Sequence, residues 1–90
     1  MEFEFDKNKS ASNKQKHGIS LEEAKMLWLA PHIEIAAKTL DEPRFMVIGK
    51  IRDKFYSCVY TTRGAGVIRL ISARRSRKSE EVLYHEHIKT

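Results

Sequence analysis

From Arg44 onward the chain is a succession of apolar, β-rich runs broken by tight turns, and this pattern limits its possible folds more than any other feature. RFMVIGKI leads into Arg52-Asp53, KFYSCVYT into Arg63-Gly64-Ala65-Gly66, and VIRLISAR follows. Val, Ile, Phe and Tyr gathered in such runs, with turn residues about every ten positions, predict consecutive antiparallel hairpins. Apolar residues occupy both parities of the runs, so both faces of the sheet need at least partial cover.

The flanking segments predict that cover. Phe3-Glu4-Phe5 alternates and reads as a short edge strand. Asp6 has the place of an N-cap for a polar helix running to about Lys16, and Gly18 the place of its C-cap. Ala11 is the only aliphatic residue of that helix, so it must pack little or bind something. Ser20 and Glu23 form the pattern of a capping box. The helix they open carries Leu21, Ala24, Met26, Leu27, Trp28 and Leu29 and stops before Pro31. His32 to Ala37 reads as a short strand and residues 38–43 as a polar connector. Residues 76–88 close the chain as a helix with a thin apolar stripe of Val82, Leu83 and Ile88; Ser79, ahead of Glu80 and Glu81, offers a later start. The predicted order is helix, helix, three or four strands, helix, an α+β arrangement.

Ninety residues suit one domain with one modest core. Seventeen Lys and Arg against twelve Asp and Glu give a net charge of +5, which favours anionic partners, nucleic acid foremost. A single cysteine, Cys58, excludes a disulfide framework and a multi-cysteine zinc site. It lies mid-strand and reads as a buried small hydrophobe. No segment resembles a signal peptide, and no apolar stretch approaches the roughly 20 residues needed to span a bilayer. The cytosol is the expected compartment.

The charge is unevenly placed. Arg69, Arg74, Arg75, Arg77 and Lys78 put five cations within residues 69–78, across the end of a strand and the start of a helix. Guanidinium groups match phosphate oxygens two at a time, and a nearby helix N-terminus adds backbone donors. A solvated charge run is the plain alternative. Arg69 argues against it, because Val67, Ile68, Leu70 and Ile71 surround it and a semi-buried guanidinium needs a partner or a task. In a regular strand Arg69 and Arg75 share one side, with Arg74 opposite.

Lys16-His17-Gly18 forms a second constellation. Histidine exchanges protons near neutral pH, and an adjacent lysine favours its neutral, base-competent form. A helix-end histidine bound to terminal carbonyls is the alternative. Glu80 and Tyr84, four apart, share a helix face and suit either acid–base work or the orientation of a guanidinium. His85 and His87 do not share a face, which speaks against a metal pair. Trp28 reads as core, with base stacking as the other option; Tyr56 and Tyr60 share parity and form either sheet packing or a stacking platform. Phosphate-binding loops, zinc-protease, hydrolase and dinucleotide fingerprints are all missing, so no metal or cofactor is expected. What remains is nucleic-acid binding, or metal-independent chemistry on a phosphodiester.

The opening FEFDKNKSASNKQKHGISLEEA resembles the start of BrnT-type toxins of bacterial type II toxin–antitoxin modules. So do Arg44 ahead of Ile48-Gly49, the segment Tyr60-Thr61-Thr62-Arg63-Gly64, and IRLISARR followed by Glu80 and Tyr84. Phe5 stands where that family often has tryptophan, Lys7 where it has proline, and Glu81-Val82 where it has basic residues. The resemblance implies a RelE/ParE-like domain over residues 1–90: N-terminal helices packed on a twisted antiparallel sheet of three or four strands, with a C-terminal helix. It also implies a ribonuclease that arrests translation, neutralised by a dimeric, DNA-binding BrnA-type antitoxin.

In the mechanism this implies, the RNA 2′-hydroxyl attacks the adjacent phosphorus, so RNA but not DNA is cut. Arg69, Arg74 and Arg75 would hold the phosphate, and His17, Glu80 or Tyr84 would move protons. Lys16, Arg63, Arg77 and Lys78 would bind flanking RNA. The rivals are a non-catalytic module that binds nucleic acid or an acidic antitoxin, and a ParE-like inhibitor of DNA gyrase.

Overall fold

The computed structural model describes residues 1–37 and 42–88. Within them are strands β1 (Glu2–Glu4), β2 (His32–Ala37), β3 (Arg44–Ile51), β4 (Lys54–Arg63) and β5 (Val67–Arg75). The helices are α1 (Lys7–His17), α2 (Leu21–Ala24), continued by 3-10 turns over Lys25–Leu29, and α3 (Lys78–His87). Most of the predicted connector, residues 38–41, lies outside the described residues.

The α+β class and the closing helix agree with expectation, but the sheet does not. It has five strands in the order β1-β5-β4-β3-β2, and it is mixed rather than antiparallel. The β1 strand precedes the helices and pairs parallel to β5, Phe3 opposite Ile68. Such pairing joins opposite ends of the chain, and no local pattern announces it.

Helix starts follow their caps. The Asp6 carboxylate accepts from the Asn8 and Lys9 amides at 2.7 and 3.1 Å, and Gly18 takes the left-handed conformation (φ 76°) that ends α1. At α2, Ser20 and Glu23 make both bonds of the capping box. That helix relaxes into 3-10 turns after Ala24, where only Leu27 of the five residues is buried. Gly49 lets this segment approach β3, since a Cβ there would stand 3.3 Å from His32 Cβ and the Pro31 carbonyl.

The weak apolar face of α1 has a physical reason: it buries polar side chains. Ser10 Oγ accepts from the Leu21 amide at 3.0 Å. Asn13 Nδ2 donates to the carbonyls of Ile19 (2.7 Å) and Ala73 (2.8 Å), and Asn13 Oδ1 accepts from the Ala73 amide at 3.2 Å. Pairing with β1 ends at Arg69, so Asn13 takes the place of a strand partner further along β5. We expect Asn13→Ala to destabilise the fold by about 2 kcal/mol in urea unfolding, because three buried backbone groups lose their partner.

Each sheet face has its own cover. Leu21, Ala24 and Leu27 pack with Val47, Cys58, Leu70 and Ala73 on one side. On the other, Tyr84 and Leu83 of α3, with Ile88 just past its end, meet Ile33, Ile48 and Phe55. Val82, expected in the apolar stripe, is 46% exposed, because the helix turns Glu80 and Tyr84 inward instead.

Candidate functional site

A β-bulge decides where the arginines point. Opposite β4, Val59 faces Ser72 but Tyr60 faces Leu70, so Ile71 is the additional residue. An unpaired residue reverses the alternation beyond it. Arg69 and Arg75 therefore lie on opposite faces, and Arg69 and Arg74 on the same one, which corrects the regular-strand expectation.

Arg69 stands apart. Its Nη1 lies 3.5 Å from Glu4 Oε1 and Arg63 Nε lies 3.3 Å from the same oxygen, ion pairs without a hydrogen bond. This bridge ties β1 to the start of β5, five residues from Arg74, a separation of about 15 Å along a strand. Arg63, predicted to contact RNA, belongs to the same bridge.

Arg74 and Glu80 form a two-pronged pair across β5 and α3, Nη1 to Oε1 and Nη2 to Oε2, both at 2.8 Å. Glu80 is buried and also accepts from Ser57 Oγ (2.8 Å) and the Arg77 amide (2.9 Å). Burial opposes its ionisation, but the Arg74 guanidinium and the Arg77 and Ser57 donors outweigh it, bringing the carboxyl from an ordinary 4.5 down to about 2. A carboxylate held this way orients a guanidinium and is a weak proton acceptor. Tyr84 is also buried, its ring 4.9 Å from that of Phe55 in the core under α3.

Arg75 has a different setting. It is exposed, its guanidinium lies 5.7 Å from the Tyr56 ring centroid, and it meets no carboxylate among the described residues. Helix α1 runs along β5 toward it: the helix starts three residues past Glu4, the strand partner of Arg69, and further along Asn13 is bonded to Ala73. Four helical residues past Asn13 cover about 6 Å, and two strand residues past Ala73 about 6.6 Å. His17 and Arg75 thus reach the same end of the sheet, on the same face. His17 is exposed and forms no hydrogen bond among the described residues, so the helix-end carbonyls do not engage it.

Other cations gather at this end. Lys16 ends α1 beside His17, Arg52 and Lys54 flank the β3–β4 turn, and Arg77 and Lys78 open α3; all are exposed. None forms an ion pair among the described residues, whereas Arg44, Arg63, Arg69, Arg74, Lys14 and Lys25 all do. Sequence reasoning missed Arg52 and Lys54, whose only signal was cationic residues at a hairpin turn. A groove of about 160 Å³ opens between Gly18 and Tyr56, with Arg52 and Lys54 on its wall.

The remaining candidates are structural. Trp28 packs edge-on against Phe3 and Tyr60 at 5.1 and 5.3 Å. Its indole donates to Glu34 Oε1 at 3.3 Å, where the Tyr60 hydroxyl also donates. Cys58 is fully buried, and burial pushes its thiol up to about 12, so it is inert at neutral pH. Among the described residues no helix is long and apolar enough to cross a membrane.

In fold the chain is similar to the Brucella abortus ribonuclease toxin BrnT, known from a crystal structure at 1.1 Å resolution. The TM-score is 0.66 at 20% identity, covering 87% of this chain and 99% of that one. No protein of curated function matches. Residues 5–80 match the family described as "Ribonuclease toxin, BrnT, of type II toxin-antitoxin system". That match begins beside the Asp6 cap and ends on the carboxylate that holds Arg74, and the chain accordingly belongs to the BrnT family of ribonuclease toxins.

Proposed function

We propose that this chain is a metal-independent endoribonuclease that cuts messenger RNA and so stops translation, acting as one RelE-like toxin domain over residues 1–90. Arg75 carries the reading: an unpaired, exposed guanidinium seated on Tyr56, at the end of the sheet that His17 also reaches. The RNA supplies its own nucleophile, the 2′-hydroxyl. As the 2′-oxygen bonds to phosphorus and the P–O5′ bond breaks, Arg75 grips the non-bridging oxygens, His17 takes the 2′-hydroxyl proton, and the departing 5′-oxygen is protonated from solvent. Arg74, held by Glu80, fixes the strand end that carries Arg75, and Lys16, Arg77 and Lys78 attract the flanking chain. Arg69 and Arg63 have structural work at Glu4 and are left out of the phosphate clamp. Membership in a toxin–antitoxin family implies an antitoxin. A BrnA-type DNA-binding protein, dimeric and covering this basic end, is the partner we propose.

Purified, antitoxin-free protein is expected to cut RNA in EDTA and to leave 2′,3′-cyclic phosphate ends. One 2′-deoxy substitution at the cleaved position is expected to block that cut. RNA left whole in EDTA but cut with magnesium would refute metal independence. Gyrase inhibition without RNA cleavage would favour the ParE-like reading, and RNA binding with neither activity the non-catalytic one.

A further inference from the structure

The groove beside Arg75 has a composition that phosphate gripping alone does not require. Its floor is apolar and aromatic, with Ile19, Ile51 and Tyr56, while Arg52 and Lys54 form a cationic rim. The one carboxylate there, Glu23, has its charge matched by Lys14 at 2.7 Å. Tyr56 belongs to both places, because it lines the groove and carries the Arg75 guanidinium.

The rim is held in an unfavourable backbone. Arg52 and Asp53 have φ of 51° and 68°, the conformation of a two-residue hairpin turn that asparagine and glycine adopt far more easily. Apart from asparagine and aspartate, side chains bearing a Cβ are disfavoured there, so the strain falls on Arg52. Strain of this kind persists mainly at functional sites. Here it keeps an arginine at a turn where Asn-Gly would make a better hairpin.

We infer that this groove is a nucleotide subsite: it holds the RNA residue next to the cleaved phosphate, with the base stacked on Tyr56 and the backbone phosphate on Arg52 and Lys54. The inference rests on the ribonuclease reading for the position of the cut, though binding at the groove can be measured without any cleavage. Stacking on an aromatic ring tolerates every base, so the subsite contributes affinity and placement more than sequence choice.

The test uses a single-stranded RNA oligonucleotide made uncleavable by 2′-O-methyl groups, with binding followed by fluorescence anisotropy over a range of salt. The variant is Arg52→Asn with Asp53→Gly and Lys54→Gln, which removes both cations while giving the turn a sequence it prefers. Its melting temperature should equal or exceed that of the parent. Binding is expected to weaken about 10-fold, and the slope of log affinity against log salt to fall by roughly 1.4, for two phosphate contacts on a single strand. In cleavage assays the loss should fall on KM, with kcat nearly kept. An oligonucleotide abasic at the flanking position should bind the parent about 10-fold more weakly, and this difference should vanish in Tyr56→Leu.

Unchanged affinity and salt slope in the triple variant overturn the subsite, whatever the parent does to RNA. A parent that cuts no RNA, yet binds it in a way the variant loses, overturns the ribonuclease reading and keeps the subsite. Normal RNA binding with weakened antitoxin binding assigns the groove to the antitoxin and overturns the proposal.

Discussion

Arg75→Ala is expected to lower the rate of RNA cleavage in EDTA by about 100-fold or more, the usual loss when one preorganised donor to a developing oxyanion is removed. The fold should hardly notice. Arg75 is exposed and its side chain lies over the Tyr56 ring, a cation–π interaction of about 0.5–1 kcal/mol at such a site. Arg75→Lys keeps the charge but loses the planar fork, so it should recover only part of the rate. Arg69→Ala serves as the contrast, because its guanidinium is engaged with Glu4 on the other face of β5; its rate should stay within a few-fold of the parent. Initial rates on one RNA, beside thermal melts of each variant, check all three. A wild-type rate for Arg75→Ala, or a loss matched by a collapse in melting temperature, would remove Arg75 from the mechanism.

Glu80→Ala is expected to carry the largest stability loss, about 3 kcal/mol, near the lower end for breaking a pair of this kind because Arg74 keeps some solvent. In a domain of this size that corresponds to a drop of roughly 12–24 °C in melting temperature. Three donors lose their acceptor together: the Arg74 fork, the Ser57 hydroxyl and the Arg77 amide at the start of α3. The same pair predicts a pH dependence. The Glu80 carboxyl titrates near 4.5 in the unfolded chain and near 2 in the fold. Its contribution is therefore complete above about pH 5 and is lost as the pH falls toward 2. Integrated over that interval it amounts to roughly 3 kcal/mol. Asp6 and Glu23 are also held below their ordinary values by hydrogen bonds, so wild-type stability alone does not isolate Glu80. The difference between wild type and Glu80→Gln does: it should be widest near neutral pH and narrow steadily on acidification. A gap that stays constant from pH 7 to pH 3 would contradict the paired-carboxylate account.

Features governed by a few neighbouring residues are legible in the sequence. Asp6, Gly18 and the Ser20–Glu23 box bound the first two helices because caps answer to backbone groups within four positions. The hairpins of β3, β4 and β5 follow from apolar runs and turn residues in the same way. The basic end was legible in part. The arginine cluster and Lys16-His17 stood out in the sequence, but Arg52 and Lys54 did not, since two cations beside a turn look like ordinary surface. A polar α1 looked like a helix with little to pack, because the burial of Ser10 and Asn13 depends on carbonyls and amides from α2 and β5.

By itself, then, the sequence determined the secondary elements, the α+β class, the concentration of cations and, through its motifs, the family. Tertiary structure alone decided which arginines share a task. The parallel pairing of β1 supplied Glu4 to Arg69, the docking of α3 supplied Glu80 to Arg74, and the bulge at Ile71 put Arg75 on the face opposite Arg69. No short-range signal encodes these choices. Guanidinium groups of equal charge and reach become an anchor, a strut or, in the function we propose, a clamp according to the carboxylates that distant segments bring beside them.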